Sequence, residues 1–287
     1  MKLGRRSACP YNMSDMQGDD FTRFEHAGWQ RVADKYDSSW SSLTRQFVSH
    51  LINAAQVSPG MSLLDVACGP GYVSAAVKEL GAVPTGIDFS ERMIAIARGM
   101  FSDISFIQGN AQALPFPNAS FDRVLSNFGL LHVSHPEMAC AEACRVLKPK
   151  GRFGFSVWAG PEKNPGAKII NDVIEAHADL NVGLPEGPPR YLYTEREECR
   201  KALERAGFDG ESMSYDTRSV EWHLPTASYF FEAERDAGMR PAELLERQSS
   251  EKLDKIRVAI ENAMPVYAKG NEFILPMAAH VVVVAKS

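Results

Sequence analysis

Two acidic residues flank a short glycine turn at a spacing that suits a nucleoside-containing ligand. Asp65 lies near the end of an apolar run, Gly69 and Gly71 follow it, and Asp88 ends the next apolar run. Glycine has no Cβ, so the backbone of such a turn can come close to a ligand. A carboxylate at the end of the second strand can accept hydrogen bonds from both hydroxyls of a ribose. The pattern therefore predicts a nucleoside site where the first strand passes into a helix.

The residues around this turn narrow the kind of nucleoside. A dinucleotide-binding turn would have a third glycine where this chain has Ser74, and the Asp65 carboxylate would repel a pyrophosphate. That carboxylate suits a ligand with an ammonium or sulfonium group, although an acid here could instead cap the next helix. Phe89 and Met93 offer an apolar face to an adenine ring. Asp88 is predicted to bind the ribose, with a solvated loop acid as the alternative.

The elements that must position these residues follow a regular order. The segment from Met61 to Trp158 alternates between strand and helix, as in a parallel sheet covered by helices on both faces. The apolar run His280–Ala285 must be buried on both faces, so we expect it inside the same sheet. The helical block before it is then an insertion at the ligand edge, where insertions commonly close over a substrate.

The predicted domain organisation has five parts, which are a flexible leader at 1–20, an N-terminal helical lid at 21–58, an α/β core at 59–223, a helical cap at 224–272 and a final core strand at 273–287. An organelle-targeting role is the alternative for the leader. The lid carries an aromatic stripe, Trp29, Tyr36 and Trp40, at helical spacing. Such a stripe either packs into the core or covers the ligand.

Composition excludes several classes of protein. The 287 residues carry a net charge of −5, which gives no basic field for a nucleic acid. The five cysteines form no CxxC pair, so neither a disulfide framework nor a metal site is expected, and the predicted location is the cytoplasm. No apolar run reaches the roughly 20 residues that span a bilayer, so no membrane insertion is expected.

Five sequence blocks carry a resemblance to a known family, and they are Leu64-Asp65-Val66-Ala67-Cys68-Gly69-Pro70-Gly71, Gly86-Ile87-Asp88-Phe89-Ser90, Gly109-Asn110-Ala111-Gln112-Ala113-Leu114-Pro115-Phe116, Ser120-Phe121-Asp122-Arg123-Val124 and Arg145-Val146-Leu147-Lys148-Pro149-Lys150-Gly151. In this order and spacing the chain resembles the class I S-adenosylmethionine-dependent methyltransferases of the small-molecule type. The group includes the ubiquinone/menaquinone-biosynthesis methyltransferases. The resemblance covers roughly residues 60 to 155 and is loose elsewhere.

The resemblance implies a fold and a cofactor. The fold is a doubly wound α/β structure with a mostly parallel, seven-stranded, Rossmann-like sheet whose last strand is antiparallel, plus the helical cap. The cofactor is S-adenosylmethionine. Its methionine part would contact a set of residues from the core and the lid, namely Tyr36, Asp65, Ala67, Gly69, Gly71 and Asn127. Asp88 would bind the ribose, and Asn110 and Ala111 would approach the adenine. The family usually has Asp in place of Asn110, and the amide is a weaker acceptor than a carboxylate.

Methyl transfer from a sulfonium needs mainly positioning, with a base only if the acceptor must lose a proton. His132, just after the fourth strand, is the leading candidate base, and a structural or cofactor-shell histidine is the alternative. His223, at the start of the cap, is the second candidate. Trp158 and Tyr191 are candidates for an aromatic acceptor pocket.

The sequence leaves the acceptor open. We expect a small apolar or aromatic metabolite, with oxygen favoured over carbon and nitrogen as the methylated atom. The alternatives are a cofactor-binding protein without methyl transfer and, less favoured because of Ser74 and Asp65, a nicotinamide oxidoreductase. Cys140 and Cys144 share a helix face, which is typical of core thiols rather than of arsenic chemistry. A homodimer is compatible with the sequence.

Overall fold

The computed structural model describes residues 19–287. The predicted leader lies outside the described residues except for its last two positions. Asp19 caps the first helix by accepting a hydrogen bond from the Thr22 amide, and the helix begins at Asp20. These two residues are therefore part of the first helix and its cap, although the predicted leader extended to residue 20.

The helices of the described chain are α1 (Asp20–Ser39), α2 (Ser41–Thr44), α3 (Val48–Ala54), α4 (Tyr72–Glu79), α5 (Glu91–Met100), α6 (Pro136–Val146), α7 (Pro165–His177), α8 (Arg196–Arg205), α9 (Tyr229–Ala237), α10 (Arg240–Glu246) and α11 (Ser250–Ala263). Ser90 caps α5, because its hydroxyl accepts from the Met93 amide and so satisfies a donor in the first turn. Among the described residues, no helix is long and apolar enough to cross a membrane.

The strands are β1 (Ser62–Val66), β2 (Val83–Asp88), β3 (Ser105–Gln108), β4 (Phe121–Asn127), β5 (Leu147–Trp158), β6 (Phe208–Leu224), β7 (Ala268–Lys269) and β8 (Glu272–Lys286). They form one sheet in the order β3-β2-β1-β4-β5-β8-β6, and the short β7 pairs only with β8. The first five strands are parallel, whereas β8 runs antiparallel to both β5 and β6. The predicted doubly wound, mostly parallel sheet is confirmed.

The final strand shows why an all-apolar sequence belongs inside the sheet. Val281 and Val283 pack into the cluster that contains α3 and α4, whereas Val282 and Val284 pack into the cluster that contains α6 and α8. Successive side chains of a strand point to opposite faces, so both faces of β8 require apolar residues. This burial places β8 between β5 and β6.

The lid and the cap pack against each other over the carboxyl edge of the parallel strands. Trp40 donates its indole N–H to the Ala233 carbonyl of α9 at 3.1 Å. Gly28 of α1 faces Met239, and a Cβ at Gly28 would lie 2.2 Å from the methionine sulfur. A larger residue at Gly28 would therefore displace the Met239 side chain, which packs on α1 just after the end of α9.

Two further details concern the start of β5 and the cysteines. The segment Lys148–Gly151 contains the turn-forming residues Pro149 and Gly151, but β5 begins at Leu147 and includes it. Lys150 has a φ of +64°, so a turn-like residue is built into the strand. The four cysteines among the described residues are buried, and Cys140 and Cys144 lie in the core cluster.

Candidate active site

A cavity of about 400 Å³ opens at the carboxyl ends of β1, β2 and β4, under α1 and α9. Nine of the predicted site residues line it, and they are Tyr36, Asp65, Ala67, Gly69, Asp88, Phe89, Met93, Asn127 and His132. A smaller cavity of about 40 Å³ is lined by Asn110 and Ala111, and both cavities share His132 and Asp88. The parallel strands end at the same edge, which is why residues distant in sequence meet there.

Asp65 is buried, and its two carboxylate oxygens have different surroundings. Oδ2 accepts hydrogen bonds from the Ser74 amide at 3.0 Å and from the Ser74 hydroxyl at 2.7 Å. Oδ2 therefore caps the first turn of α4, which was the alternative role considered for Asp65. Oδ1 is buried without a partner among the described residues. Burial raises the pKa of Asp65 to about 7. A cationic donor in the cavity would satisfy Oδ1 and restore the charge.

Asp88 is also buried, with 6% of its surface exposed, which rules out a solvated loop acid. Its Oδ2 accepts from the Gly69 amide and its Oδ1 from the Ser90 amide, both at 2.9 Å. Burial raises the pKa of this carboxyl, and the two backbone donors oppose that shift. Each carboxylate oxygen can accept more than one hydrogen bond, so both can still meet hydroxyls of a ligand.

The two glycines of the turn have different reasons to be glycine. Gly69 has a φ of +51°, and a Cβ built there would meet no atom within 4 Å, so its open side faces the cavity. Gly71 has a φ of +88°, but its missing Cβ points at the Phe106 ring, 2.7 Å away, and it does not line the cavity. Gly71 was predicted to contact the cofactor; in the structure, packing against Phe106 and a left-handed turn are what require this glycine.

The lid brings polar groups to the methionine side of the cavity. The Tyr36 hydroxyl lies 3.1 Å from Thr44 Oγ1, and burial raises the pKa of Tyr36 to about 12. Asn127 donates its amide to the Thr44 carbonyl at 3.1 Å, which ties the end of β4 to the lid. Arg45, which the sequence analysis missed, lines the cavity and lies over the Tyr72 ring, 4.2 Å from its centroid. It supplies a cation suited to a carboxylate.

His132 lies beside an acid that sequence reasoning did not find. Its Nδ1 is 2.9 Å from Glu25 Oε2, and the indole of Trp29 donates to the same oxygen at 3.2 Å. Glu25 is only 2% exposed. Because a carboxylate accepts and does not donate, Nδ1 donates to Glu25, and in the neutral form of the imidazole Nε2 is the acceptor. Glu25 stands four residues before Trp29 on α1, so an acid on the aromatic stripe was the available signal.

His223, the second candidate base, is not at the cavity. Its side chain is 54% exposed, and its Nδ1 lies 3.1 Å from Glu272 on β8. The long β6–β8 pair carries it along the sheet surface, so the structure does not bring His223 to the cavity. Tyr191 is also absent from the cavity lining.

Aromatic side chains form much of the wall opposite the polar groups. Trp158 stacks on Phe128 with ring centroids 4.1 Å apart, and Trp40 crosses Trp158 at 6.0 Å. Trp158, Phe128, Trp40 and Trp29 all line the cavity. The aromatic stripe of the lid therefore packs into the core and covers the cavity at the same time.

One more acid reaches the cavity from the cap. Glu234 of α9 is 2% exposed and lines the cavity, and burial raises its pKa to about 7. The sequence analysis missed it, although an acid three and four residues after Phe231 and Phe230 on a buried helix face was a signal. Among the described residues, no group of three or more His, Cys, Asp or Glu side chains is placed to hold a metal.

The cavity therefore fits a nucleoside whose tail carries both cationic groups and a carboxylate. The fit rests on the partnerless Asp65 oxygen, the open side of Gly69, the buried Asp88 and the nearby Arg45. S-adenosylmethionine has these features, with an amino group, a carboxylate and a sulfonium on an adenosine.

Comparison with known proteins agrees with this chemistry. Residues 64–155 match a family described as a methyltransferase domain. The chain is 38% identical over 167 residues to a demethylmenaquinone methyltransferase of Renibacterium salmoninarum, which covers 56% of this chain and 70% of the relative. It is 30% identical over 203 residues to the ubiquinone/menaquinone biosynthesis C-methyltransferase UbiE of Shewanella pealeana, covering 62% of this chain and 80% of the relative.

A solved structure shares the fold. The YcgJ protein of Bacillus subtilis superimposes with a TM-score of 0.54 and 19% identity, over 84% of this chain and 98% of that protein. The chain described here uses S-adenosylmethionine as its cofactor, and its activity is methyl transfer. The chain belongs to the class I S-adenosylmethionine-dependent methyltransferases of the UbiE type.

Proposed function

We propose that the protein transfers the methyl group to a ring carbon of a hydroxylated aromatic acceptor of the quinol type. The observation that carries the proposal is the Glu25–His132 pair, which faces a cavity with aromatic walls. The names of the two relatives, which act on demethylmenaquinone or in ubiquinone and menaquinone biosynthesis, support this class of acceptor.

The cofactor would be held mainly by side chains of the core. Asp65 Oδ1 would accept from the amino group, and Arg45 would pair with the carboxylate. Asp88 would accept from the ribose hydroxyls while its two backbone bonds hold it in place. The adenine would enter the smaller cavity beside Asn110 and Ala111. When bound, the cofactor supplies a methyl group that is already activated on a sulfonium.

The chain's own contribution to the chemistry is proton removal. Glu25 holds Nδ1–H of His132, so Nε2 can accept the proton of an acceptor hydroxyl. The resulting phenolate is electron-rich at the ring carbon next to the oxygen, which makes that carbon a nucleophile. Transfer to this carbon forms one C–C bond as the C–S bond of the sulfonium breaks, and S-adenosylhomocysteine leaves. The ring proton then passes to solvent, and the imidazolium of His132 returns its proton to the acceptor oxygen. Trp29 also donates to Glu25, so the carboxylate stays oriented as an acceptor.

The acceptor atom proposed here differs from the sequence-based preference for oxygen. The Shewanella relative is named a C-methyltransferase, and a more distant relative from Yarrowia lipolytica, 26% identical over 241 residues, is named a sterol 24-C-methyltransferase. Carbon and oxygen transfer need the same deprotonated acceptor, so the His132 site serves both. The relatives favour carbon.

The test is methyl transfer from isotopically labelled S-adenosylmethionine to naphthohydroquinone, simple phenols and amines under anaerobic conditions. We expect the label on a ring carbon of naphthohydroquinone, identified by the chemical shift of an aryl methyl group. His132→Ala should lower kcat by about 100-fold or more, the range for a lost general base. Transfer to amines alone, or cofactor binding with no transfer to any acceptor, would refute the proposal, as would full activity in His132→Ala.

A further inference from the structure

Glu234 is held rigidly in the cap wall of the cavity. It follows Ala233, whose carbonyl accepts the Trp40 indole N–H at 3.1 Å. The end of α9 is fixed by the close approach of Met239 to Gly28 of α1. Only 2% of the Glu234 surface is exposed, and the residue lines the cavity. Its position is therefore set by the packing of the lid on the cap.

The Glu234 carboxylate lacks hydrogen-bond donors. Within residues 19–287, no hydrogen bond to its side-chain oxygens is formed, and the nearest cation is Arg190, whose Nη2 is 3.9 Å from Oε1. Burying a carboxylate without donors is costly, and here burial raises the pKa of Glu234 to about 7. Such a group is retained at a cost to stability, which points to a ligand that completes it.

The charge around Glu234 indicates what kind of donor is missing. Arg190 already lies close enough to balance the negative charge, but it makes no hydrogen bond at 3.9 Å. A second cation would place two positive groups around one carboxylate. A neutral donor such as a hydroxyl supplies the hydrogen bond without adding charge.

We propose that Glu234 determines acceptor specificity by accepting a hydrogen bond from a second hydroxyl of the aromatic acceptor, separate from the hydroxyl that faces His132. The inference rests on the proposed function, since it assumes an aromatic hydroxyl acceptor in this cavity. Two hydrogen-bond acceptors, His132 held by Glu25 of α1 and Glu234 of α9, then recognise two hydroxyls of the substrate across an aromatic-walled space. Acceptors with only one free hydroxyl leave Glu234 buried and unsatisfied.

The test compares naphthohydroquinone with its mono-O-methyl ether, which lacks the second donor. A hydrogen bond to a charged group corresponds to about 10- to 100-fold in kcat/KM, so the wild-type protein should prefer the diol by that factor. Glu234→Leu should reduce the preference to about threefold or less, mainly through a higher KM for the diol. Glu234→Gln, whose amide oxygen still accepts, should lie between.

Glu243→Gln is the matched control. Glu243 lies on α10 of the same cap with 14% of its side chain exposed, but it pairs with Arg31 and Arg247 and does not line the cavity. This variant should keep the wild-type preference and lose thermal stability. Glu234→Gln should instead raise Tm, by about 2 °C or more, because it removes a buried charge without donors.

The outcomes separate this inference from the proposed function. If the wild-type protein methylates neither probe, the proposed function fails and this inference falls with it. If it methylates both probes but Glu234→Leu lowers both rates equally, only the inference on Glu234 is overturned. A lower Tm in Glu234→Gln would show that the acid has a structural role and would also overturn it.

Discussion

Replacing Asp65 by Asn tests the most specific feature of the cofactor site. The substitution keeps the shape of the side chain and an acceptor for Ser74, but it removes the charge that Oδ1 presents to the cavity. A charge-assisted hydrogen bond contributes about 1.5–3 kcal/mol, so S-adenosylmethionine should bind Asp65→Asn about 10- to 150-fold more weakly. The unliganded variant should be more stable than the wild type near pH 8, because a buried unpaired charge is gone.

The pH dependence gives the prediction a second, independent readout. Burial raises the pKa of Asp65 to about 7 in the unliganded protein, whereas an ammonium group favours the ionised form. Below pH 7 the carboxyl must lose a proton on binding, so cofactor affinity should fall as the pH is lowered, by up to about tenfold per pH unit. Asp65→Asn should show no such dependence between pH 5.5 and 7 (about the range in which this carboxyl titrates).

Asp122 provides a carboxylate control in the same sheet. It accepts from the Ser62 amide at 2.9 Å and pairs with Lys148 at 2.9 Å. Partial burial alone would raise the pKa of Asp122, but these partners lower it to about 2. Asp122→Asn should reduce thermal stability and leave cofactor affinity unchanged.

Isothermal titration calorimetry with S-adenosylhomocysteine and S-adenosylmethionine at several pH values measures both effects. The assignment of Asp65 to the cofactor amino group would be refuted if Asp65→Asn bound S-adenosylmethionine as tightly as the wild type. It would also be refuted if the variant kept the wild-type dependence of affinity on pH.

Three further predictions concern the pair at His132, the glycine turn and the cap acid. Glu25→Gln should lower kcat by about 10- to 100-fold with little change in cofactor affinity, because the amide no longer fixes the imidazole tautomer; equal kcat in steady-state assays would contradict this. Gly71→Ala should lower the free energy of unfolding by about 1–3 kcal/mol in urea titrations, whereas Gly69→Ala, with open space at its Cβ, should weaken cofactor binding more than stability. Burial raises the pKa of Glu234 in the folded protein to about 7, above the usual 4.5 of a glutamate, so its contribution to stability is present at low pH and is lost as the pH rises through 7. Glu234→Gln should remove up to about 3 kcal/mol of this pH dependence, and identical stability–pH curves would contradict the assignment.

The core of the fold could be predicted because its signals are local. The alternation of strand and helix between Met61 and Trp158, and the four consecutive valines of β8, depend only on which faces must be apolar. The end of β1 places Asp65 at the carboxyl edge of the sheet in any fold of this class. The boundaries were less accurate, because end residues such as Leu147 respond to strand pairing as well as to their own sequence.

The acidic residues Glu25 and Glu234 could not be assigned a role from sequence alone. Each lies on an amphipathic helix whose partner is far away in the chain, so its burial depends on how α1 packs against α9. His223 shows the converse. Its position at the start of the cap suggested that it lies near the cavity, but the length of β6 carries it to the surface. Side-chain exposure is a property of packing.

The sequence by itself pointed to the methyl donor, because its five blocks resemble the methyltransferase family and the Gly69 turn, Asp65 and Asp88 lie at the ends of consecutive strands. Only the tertiary structure showed which groups line the cavity opposite these residues. The lid and the cap close over the cavity from opposite ends of the chain, and their contacts bring Glu25 to His132 and Glu234 to the aromatic wall. Local periodicity does not encode such pairings, since they depend on the fit between two distant helices.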